Sequence, residues 1–454
     1  MRGKKSEDMD AFPQWIIILI VVIVIARVAV LLARRFDIPA VTIQLLTGIL
    51  LGPSLLDLLG APIVLGTWGS PSPSPIHAIL KILAEIGLIQ LMFLAGLQTD
   101  WHELKKKLRS SFSVGVWEFF LTAGSVAIIT RIFVDRWAEA LAMSAIMSAS
   151  SFGISVYYFS ETKTLGSRVA LMVLGAAILS GLLAILLMIT SQATNYAVTY
   201  GAFKMTVPVS RFLAKLIMFF AVSYFLTSRF LKLVAKTGFE KRPRQMLIGY
   251  LLLVAALYAW AAMHFGSFAA VGVASLGGAL LGASGFGFRG KVSKGFGSML
   301  GSLPKGVLFV AIGMEANFRV AGGTIIFLMA MFAVVIVAKL IGSWMAMRKD
   351  IDMFREGVLI GFGTLPQGEM GVLIAAYLFS RGIVSPPSFN AAIALVILLT
   401  MIIPIVMKVL RKLPFQEGAA TQELYRITPI LILVLAGLLF GPPFIDGQRW
   451  NLGS

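Results

Sequence analysis

The sequence predicts an all-α polytopic membrane protein of about 13–14 transmembrane helices, and three observations carry that prediction. Of 454 residues, 58% are hydrophobic and only 13% charged, with a mean hydropathy of +0.90, a balance no water-soluble globule of this length shows. Runs such as WIIILIVVIVIARVAVLLA and TIIFLMAMFAVVIVAKLIGSWMAM reach the roughly 20 residues that a helix needs to cross about 30 Å of hydrocarbon. Such runs recur along the whole chain, and no soluble domain separates from them.

The spans fall at approximately 13–33, 38–59, 77–98, 111–132, 138–159, 167–191, 208–228, 245–263, 267–285, 300–316, 322–346, 356–380, 387–409 and 427–445. Residues 1–12 read as a polar tail. The first apolar run is longer than a signal-peptide core and lacks a small-residue cleavage site, so it is taken as a span. Between 60 and 76, LGAPIVLGTWGSPSPSP is rich in proline, serine and glycine and reads as an irregular loop. Residues 411–426 read as a cytoplasmic linker, 427–445 as an additional C-terminal helix ended by Gly441, Pro442 and Pro443, and 446–454 as a tail.

The formal charge of +18 and the pI of about 10.2 do not point to nucleic acid, because the basic residues are scattered through short loops and form no single face or tail. They instead divide unevenly between alternate loops. One set holds Arg34, Arg35, the cluster from Lys105 to Arg109, the group from Arg229 to Arg244, Arg348, Lys349, Arg355, Lys408, Arg411 and Lys412; the other is poorer. The positive-inside rule places the richer set in the cytoplasm. The chain has no cysteine, so disulfides and thiol chemistry do not enter. His77, His102 and His264 have no ligand spacing, the glycines of GFGFRGKVSKGFG lack a G-K-[ST] ending, and no Ser-His-Asp set is visible. The expectation is therefore no cofactor, no metal and no enzyme.

Two spans carry interruptions in their own sequence. In MSASSFGISVYYF these are Ser148, Ser150, Ser151, Gly153 and Ser155; in IGFGTLPQGEMGVLIAAY they are Gly363, Pro366, Gly368 and Gly371. Freed backbone at membrane depth is tolerated only where it is buried in protein or lines a water-filled cavity. Paired interruptions in corresponding halves of a chain mark a transporter's midplane site, although serine and glycine also serve plain helix crossing. The expectation is that 148–155 and 363–371 are non-helical and approach one another. LTGILLGPSLLDL (46–58), LGGALLGASGFGF (276–288) and LAGLLFGPPFIDG (435–447) share an apolar G-x-L-x-G core, a weak sign of duplicated halves.

The succession RRFDIPAVTIQLLTGILLGPSLL, ILAEIGLIQLMFLAGLQTD, SASSFGISV, LGSRVALMVLGAAI, FVAIGMEANF and LPQGEMGVLIA resembles the monovalent cation:proton antiporter-2 superfamily, the sodium/hydrogen and Kef-type potassium exchangers, over residues 13 to about 410. The resemblance implies inverted repeats and a mobile core bundle with two crossed, discontinuous helices, which moves against a gate and dimerisation domain. It further implies exchange of Na⁺ or K⁺ for protons by a homodimer in the plasma membrane, with the lipid bilayer, cation and proton as partners.

In that family the helix after the first interruption ends its G-A-A-[VI] run with an Asp-Asp, Asn-Asp or Gln-Asp pair; here the two positions are Leu179 and Ser180. A serine hydroxyl supplies an oxygen ligand but neither charge nor a proton switch. LPQGE supplies Gln367 and Glu369 where family variants have Arg-Gly-Glu or Gln-Gly-Glu. Ser150 and Ser151 complete the polar set at the first interruption.

The titratable candidates are the carboxylates inside apolar spans, Glu369, Glu118 and Glu85, with Glu315 at a rim. An ionisable group at membrane depth costs roughly 2.5–3.5 kcal/mol or more and is a functional candidate by default, and burial moves carboxylates in general toward the neutral range that proton exchange needs. Glu369, beside the second interruption, ranks first and Glu118 second. Glu118 has the alternative role of a structural bridge to a membrane-embedded lysine, Lys215 or Lys339; Glu85 has that of a helix contact. Two functions follow from different classes: an antiporter in which Glu369, helped by Glu118, replaces the missing aspartate, or a transport-silent relative serving as a partner subunit or sensor.

Overall fold

The computed structural model describes residues 12–36, 40–52, 55–56, 101–200, 303–314, 322–347 and 354–412, with single positions at 83, 87, 214, 218, 225 and 229. The expected span at 427–445 and the loop at 60–76 lie outside the described residues. All regular structure among the described residues is helical. The chain forms two units, one from residues 1–102 and 211–317, the other from 103–210 and 318–454. Each unit takes one segment from each half of the chain, as a duplicated architecture does.

In the first unit, α1 (Phe12–Phe36) packs on α2 (Ala40–Leu51), and both meet α7 (Leu303–Met314). The apolar glycine motif explains the closest of these contacts. A Cβ added at Gly48 would overlap the Val310 carbonyl oxygen, and one at Gly313 would overlap that of Leu45. The two helices therefore touch backbone to backbone, the close approach that small residues permit in membranes.

The second unit holds α3 (Trp101–Phe133), α4 (Trp137–Ser148), α5 (Phe152–Glu161) and α6 (Arg168–Tyr200). These are followed by α8 (Gly322–Met347), α9 (Phe354–Thr364), α10 (Gly368–Ser380) and α11 (Pro386–Lys412). The order long helix, interrupted helix, long helix occurs twice. Arg109–Phe133, Trp137–Ser160, Arg168–Asn195 and Ile325–Met347 are long and apolar enough to span a membrane. The alanine-rich α4 has no exposed polar face and is buried along most of its length, Glu139 near its start included, as a helix hydrophobic nearly all round must be.

Each interruption has a local cause. After Ser148 the backbone turns extended at Ala149, with ψ 140°, and α5 restarts where the Ser151 hydroxyl caps it by accepting the Ile154 N–H at 3.0 Å. At the second, Pro366 lacks an N–H and disfavours helix at Leu365 before it. The chain re-enters helix through Gly368 at φ 42°, where a Cβ would also overlap Ile154 Cδ1; only glycine meets both demands. The non-helical stretches are 149–151 and 365–367, shorter than the expected 148–155 and 363–371. Gly363 and Gly371 stay helical and face Val173 and Val396, so they admit neighbours and do not break the backbone.

Two rim contacts fix the relative direction of the trios. At one rim the Glu139 carboxylate, 1% exposed near the start of α4, accepts the Ser385 N–H at 2.9 Å and its Oγ–H at 2.5 Å just ahead of α11. At the other rim Arg168, opening α6, pairs with Glu356 of α9 at 3.3 Å. The first interrupted helix thus begins where the second ends, which makes the repeats inverted.

Candidate functional site

The two interruptions meet. The Ser151 N–H donates to the Pro366 carbonyl at 2.6 Å, and Gln367 Nε2 donates to the Met147 carbonyl, in the last turn of α4, at 2.7 Å. Ser155 Oγ reaches from α5 to the Gly363 carbonyl at 3.5 Å. Carbonyls freed by the breaks are satisfied from the opposite break, as burial at membrane depth requires.

One face of α8 brings charge to this point. Lys339, fully buried, donates from Nζ to the Thr364 carbonyl at 2.7 Å, to Ser150 Oγ at 2.8 Å and to the Ala149 carbonyl at 3.5 Å. Thr364 ends α9, and Ala149 follows the end of α4. The ammonium therefore sits at the negative ends of two half-helix dipoles. Four residues on, and so on the same face, Ser343 donates its hydroxyl to Glu118 Oε1 in a short hydrogen bond.

Glu118 comes from α3 and is 1% exposed. Its approach depends on Gly342, where a Cβ would lie 2.6 Å from Glu118 Cα. Oε1 also accepts the Thr364 hydroxyl at 2.9 Å, while Oε2 is buried with no hydrogen-bond partner among the described residues. The charges of Glu118 and Lys339 act on each other, and Thr364 connects them, through its hydroxyl on one side and its carbonyl on the other.

The other sequence candidates divide. Ser150 and Gln367 are at the crossing, and Gln367 Oε1 is a second buried acceptor without a partner among the described residues. Ser151 is there as a helix cap. Ser180 is buried, but its hydroxyl is spent on the Ala177 carbonyl of its own helix at 3.2 Å. Leu179 lies against α3 near Gly115, and a Cβ at Gly181 would meet Met370 Cε at 3.7 Å. The middle of α6 thus offers the crossing no charge. Glu369 is the second residue of α10, with its side chain outside the described structure; Glu85, Glu315 and Lys215 lie outside the described residues. Thr364 and Ser343 were missed by sequence reasoning. The available signal was a polar residue four positions from a lysine in an otherwise apolar helix.

The chain has counterparts among known proteins in both sequence and fold. The family model described as "Sodium/hydrogen exchanger, transmembrane" matches residues 19–410. The chain belongs to this exchanger family. It is an integral, multi-pass membrane protein and a member of the cation:proton antiporter superfamily. Relatives of this exchanger-family chain include the Na(+)/H(+)-K(+) antiporter GerN of Bacillus cereus, 25% identical over 377 residues, which cover 83% of this chain and 91% of GerN. A Na(+)/H(+) antiporter of Enterococcus hirae is 23% identical over 401 residues, covering 88% and 98%. The solved sodium proton antiporter MjNhaP1 of Methanocaldococcus jannaschii matches in fold with a TM-score of 0.63 at 14% identity, over 94% of this chain and 99% of that one.

Proposed function

We propose that this protein is a monovalent cation/proton antiporter of the plasma membrane, working as a homodimer by alternating access, with an atypical ion site built on Glu118 and Lys339. The observation that carries this reading is the buried Glu118 carboxylate, which has one oxygen held by two hydroxyls and the other unengaged among the described residues, at the point where both interrupted helices meet.

Exchange needs one group that takes either a proton or a cation, because that competition links the two flows. Glu118 meets the requirement and Ser180 does not. Loading of Oε2 by either ion neutralises the carboxylate, and Lys339 supplies the opposing charge that keeps the unloaded site tolerable in a low-dielectric interior. The family itself, and the antiporter names of the Bacillus cereus and Enterococcus hirae relatives, support antiport over the partner-or-sensor reading.

The test is the purified protein in liposomes with an internal pH dye and pulses of Na⁺, K⁺ or Li⁺. Wild type is expected to move protons, Glu118→Gln to abolish the movement, and Ser180→Ala to leave it within about twofold, since its hydroxyl makes only a local bond of about 0.5–1.5 kcal/mol. Full flux in Glu118→Gln transfers the site to Glu369, tested by Glu369→Gln. A silent wild type that gains flux with Ser180→Asp refutes antiport itself.

A further inference from the structure

We infer that Thr364 is the positioning residue that carries the loading state of Glu118 to Lys339, through a hydroxyl that chooses between two acceptors. This rests on the exchange-site reading above and adds the means by which its two charges respond to each other.

The Thr364 hydroxyl has one hydrogen and two acceptors in reach, Glu118 Oε1 at 2.9 Å and the Gly361 carbonyl at 3.0 Å. The residue is fully buried, so water does not compete. A charged acceptor draws a hydroxyl more strongly than a neutral one. An ionised Glu118 therefore holds the hydrogen. A Glu118 that has taken a proton or a cation releases it to the Gly361 carbonyl, back in the last turn of α9. The carbonyl of Thr364 itself accepts from the Lys339 ammonium at 2.7 Å, closer than Ser150 Oγ or the Ala149 carbonyl. One residue at the end of a half-helix thus has its side chain on the carboxylate and its main chain on the ammonium. Changing the partner of the first changes the last turn that presents the second.

The surroundings leave this route little competition. The charged group acting on Glu118 among the described residues is Lys339, from α8. Also from α8 comes the Ser343 hydroxyl, which touches the carboxylate but not the ammonium. From α9 come only the Thr364 hydroxyl and carbonyl. Ser150, next to the ammonium at 2.8 Å, is bonded to Lys339 and not to Glu118.

The experiment compares Thr364→Val, which keeps the shape and carbonyl but loses the hydroxyl, with Thr364→Ser, which keeps both polar groups. Proton flux in liposomes is measured across pH at saturating and limiting cation. In the valine variant the half-maximal point of the profile is expected to move by about half a unit or more toward alkaline pH, because ionised Glu118 has lost a donor. Apparent KM for the cation is expected to change several-fold, and serine to restore both. Thr364→Ala serves as a second hydroxyl-free variant if valine does not fold, with the same expectation. A wild-type profile in the hydroxyl-free variants overturns the inference. So does a rate lowered equally at every pH and not restored by serine, the mark of a purely structural residue. Loss of flux in Glu118→Gln with an unmoved profile in Thr364→Val refutes this inference alone; full flux in Glu118→Gln refutes the site on which it rests.

Discussion

Lys339→Met is the perturbation whose size the structure sets most directly. It removes the ammonium and leaves a side chain of similar length in place. Three oxygens, Thr364 O, Ser150 Oγ and Ala149 O, lose their donor, and the buried Glu118 loses the one opposite charge that acts on it among the described residues. Breaking a buried pair on one side costs about 3–5 kcal/mol, most of it from the stranded partner. Glu118→Leu strands the ammonium instead, at a similar or smaller cost because its three oxygens remain. The double variant strands neither charge, and its residual loss is that of the unsatisfied carbonyls and hydroxyls, about 1–3 kcal/mol. The coupling between the two sites is then roughly 3 kcal/mol or more in favour of the double variant, far outside the additivity expected for independent positions. Thermal unfolding of the purified protein in one detergent at one scan rate is the assay, with the double variant expected above both single variants. Its transport is still expected to be absent. A double variant that unfolds below both singles shows that the two charges do not compensate each other, and refutes the pair.

The rim contact and the glycine seam give two more outcomes. Glu139→Gln keeps an acceptor for the Ser385 N–H and Oγ–H and is expected to cost under about 1 kcal/mol, while Glu139→Ala takes the acceptor from the half-buried Ser385 N–H and leaves its hydroxyl only Ser388 Oγ at 3.2 Å, a cost of about 1–3 kcal/mol read as the difference in unfolding between the two variants. Gly48→Ala places a Cβ where the Val310 carbonyl oxygen already is. Its expected result is loss of monodisperse protein on size exclusion, whereas Gly124→Ala, where a Cβ meets nothing within 4 Å, elutes as wild type.

The class of the molecule was legible because apolar runs of membrane length, repeated from one end of a chain to the other, have no place in a water-soluble globule. The crossing was legible because serine, glycine and proline interrupt two of those runs. The extent of the breaks was not. Gly363 and Gly371 look like breakers in the sequence yet work as contact points for Val173 and Val396, and composition does not separate those uses. Glu118 and Lys339 were legible as membrane-embedded charges that each need polar company, but no pattern in the sequence signalled that Thr364, with its hydroxyl on one and its carbonyl on the other, would stand between them. Thr364 and Ser343 stand 246 and 225 residues from Glu118 in the chain, a separation at which no local pattern reports a contact. Glu139 lies at the edge of its span, where a carboxylate needs no buried partner, and Ser385, which it holds, is 246 residues away in the chain. The weight given to Ser180 came from its place in the resemblance, and its hydroxyl turns out to serve its own helix.

The Ser151 N–H bonded to the Pro366 carbonyl gives the crossing a clock. An amide paired across two strands of bare backbone, deep in a bundle, exchanges its hydrogen for deuterium only when the pairing parts and water arrives together. Exchange at this one position therefore reports how often the crossing itself comes apart, and amides inside the flanking helices, each bonded within its own helix, report only local fraying beside it.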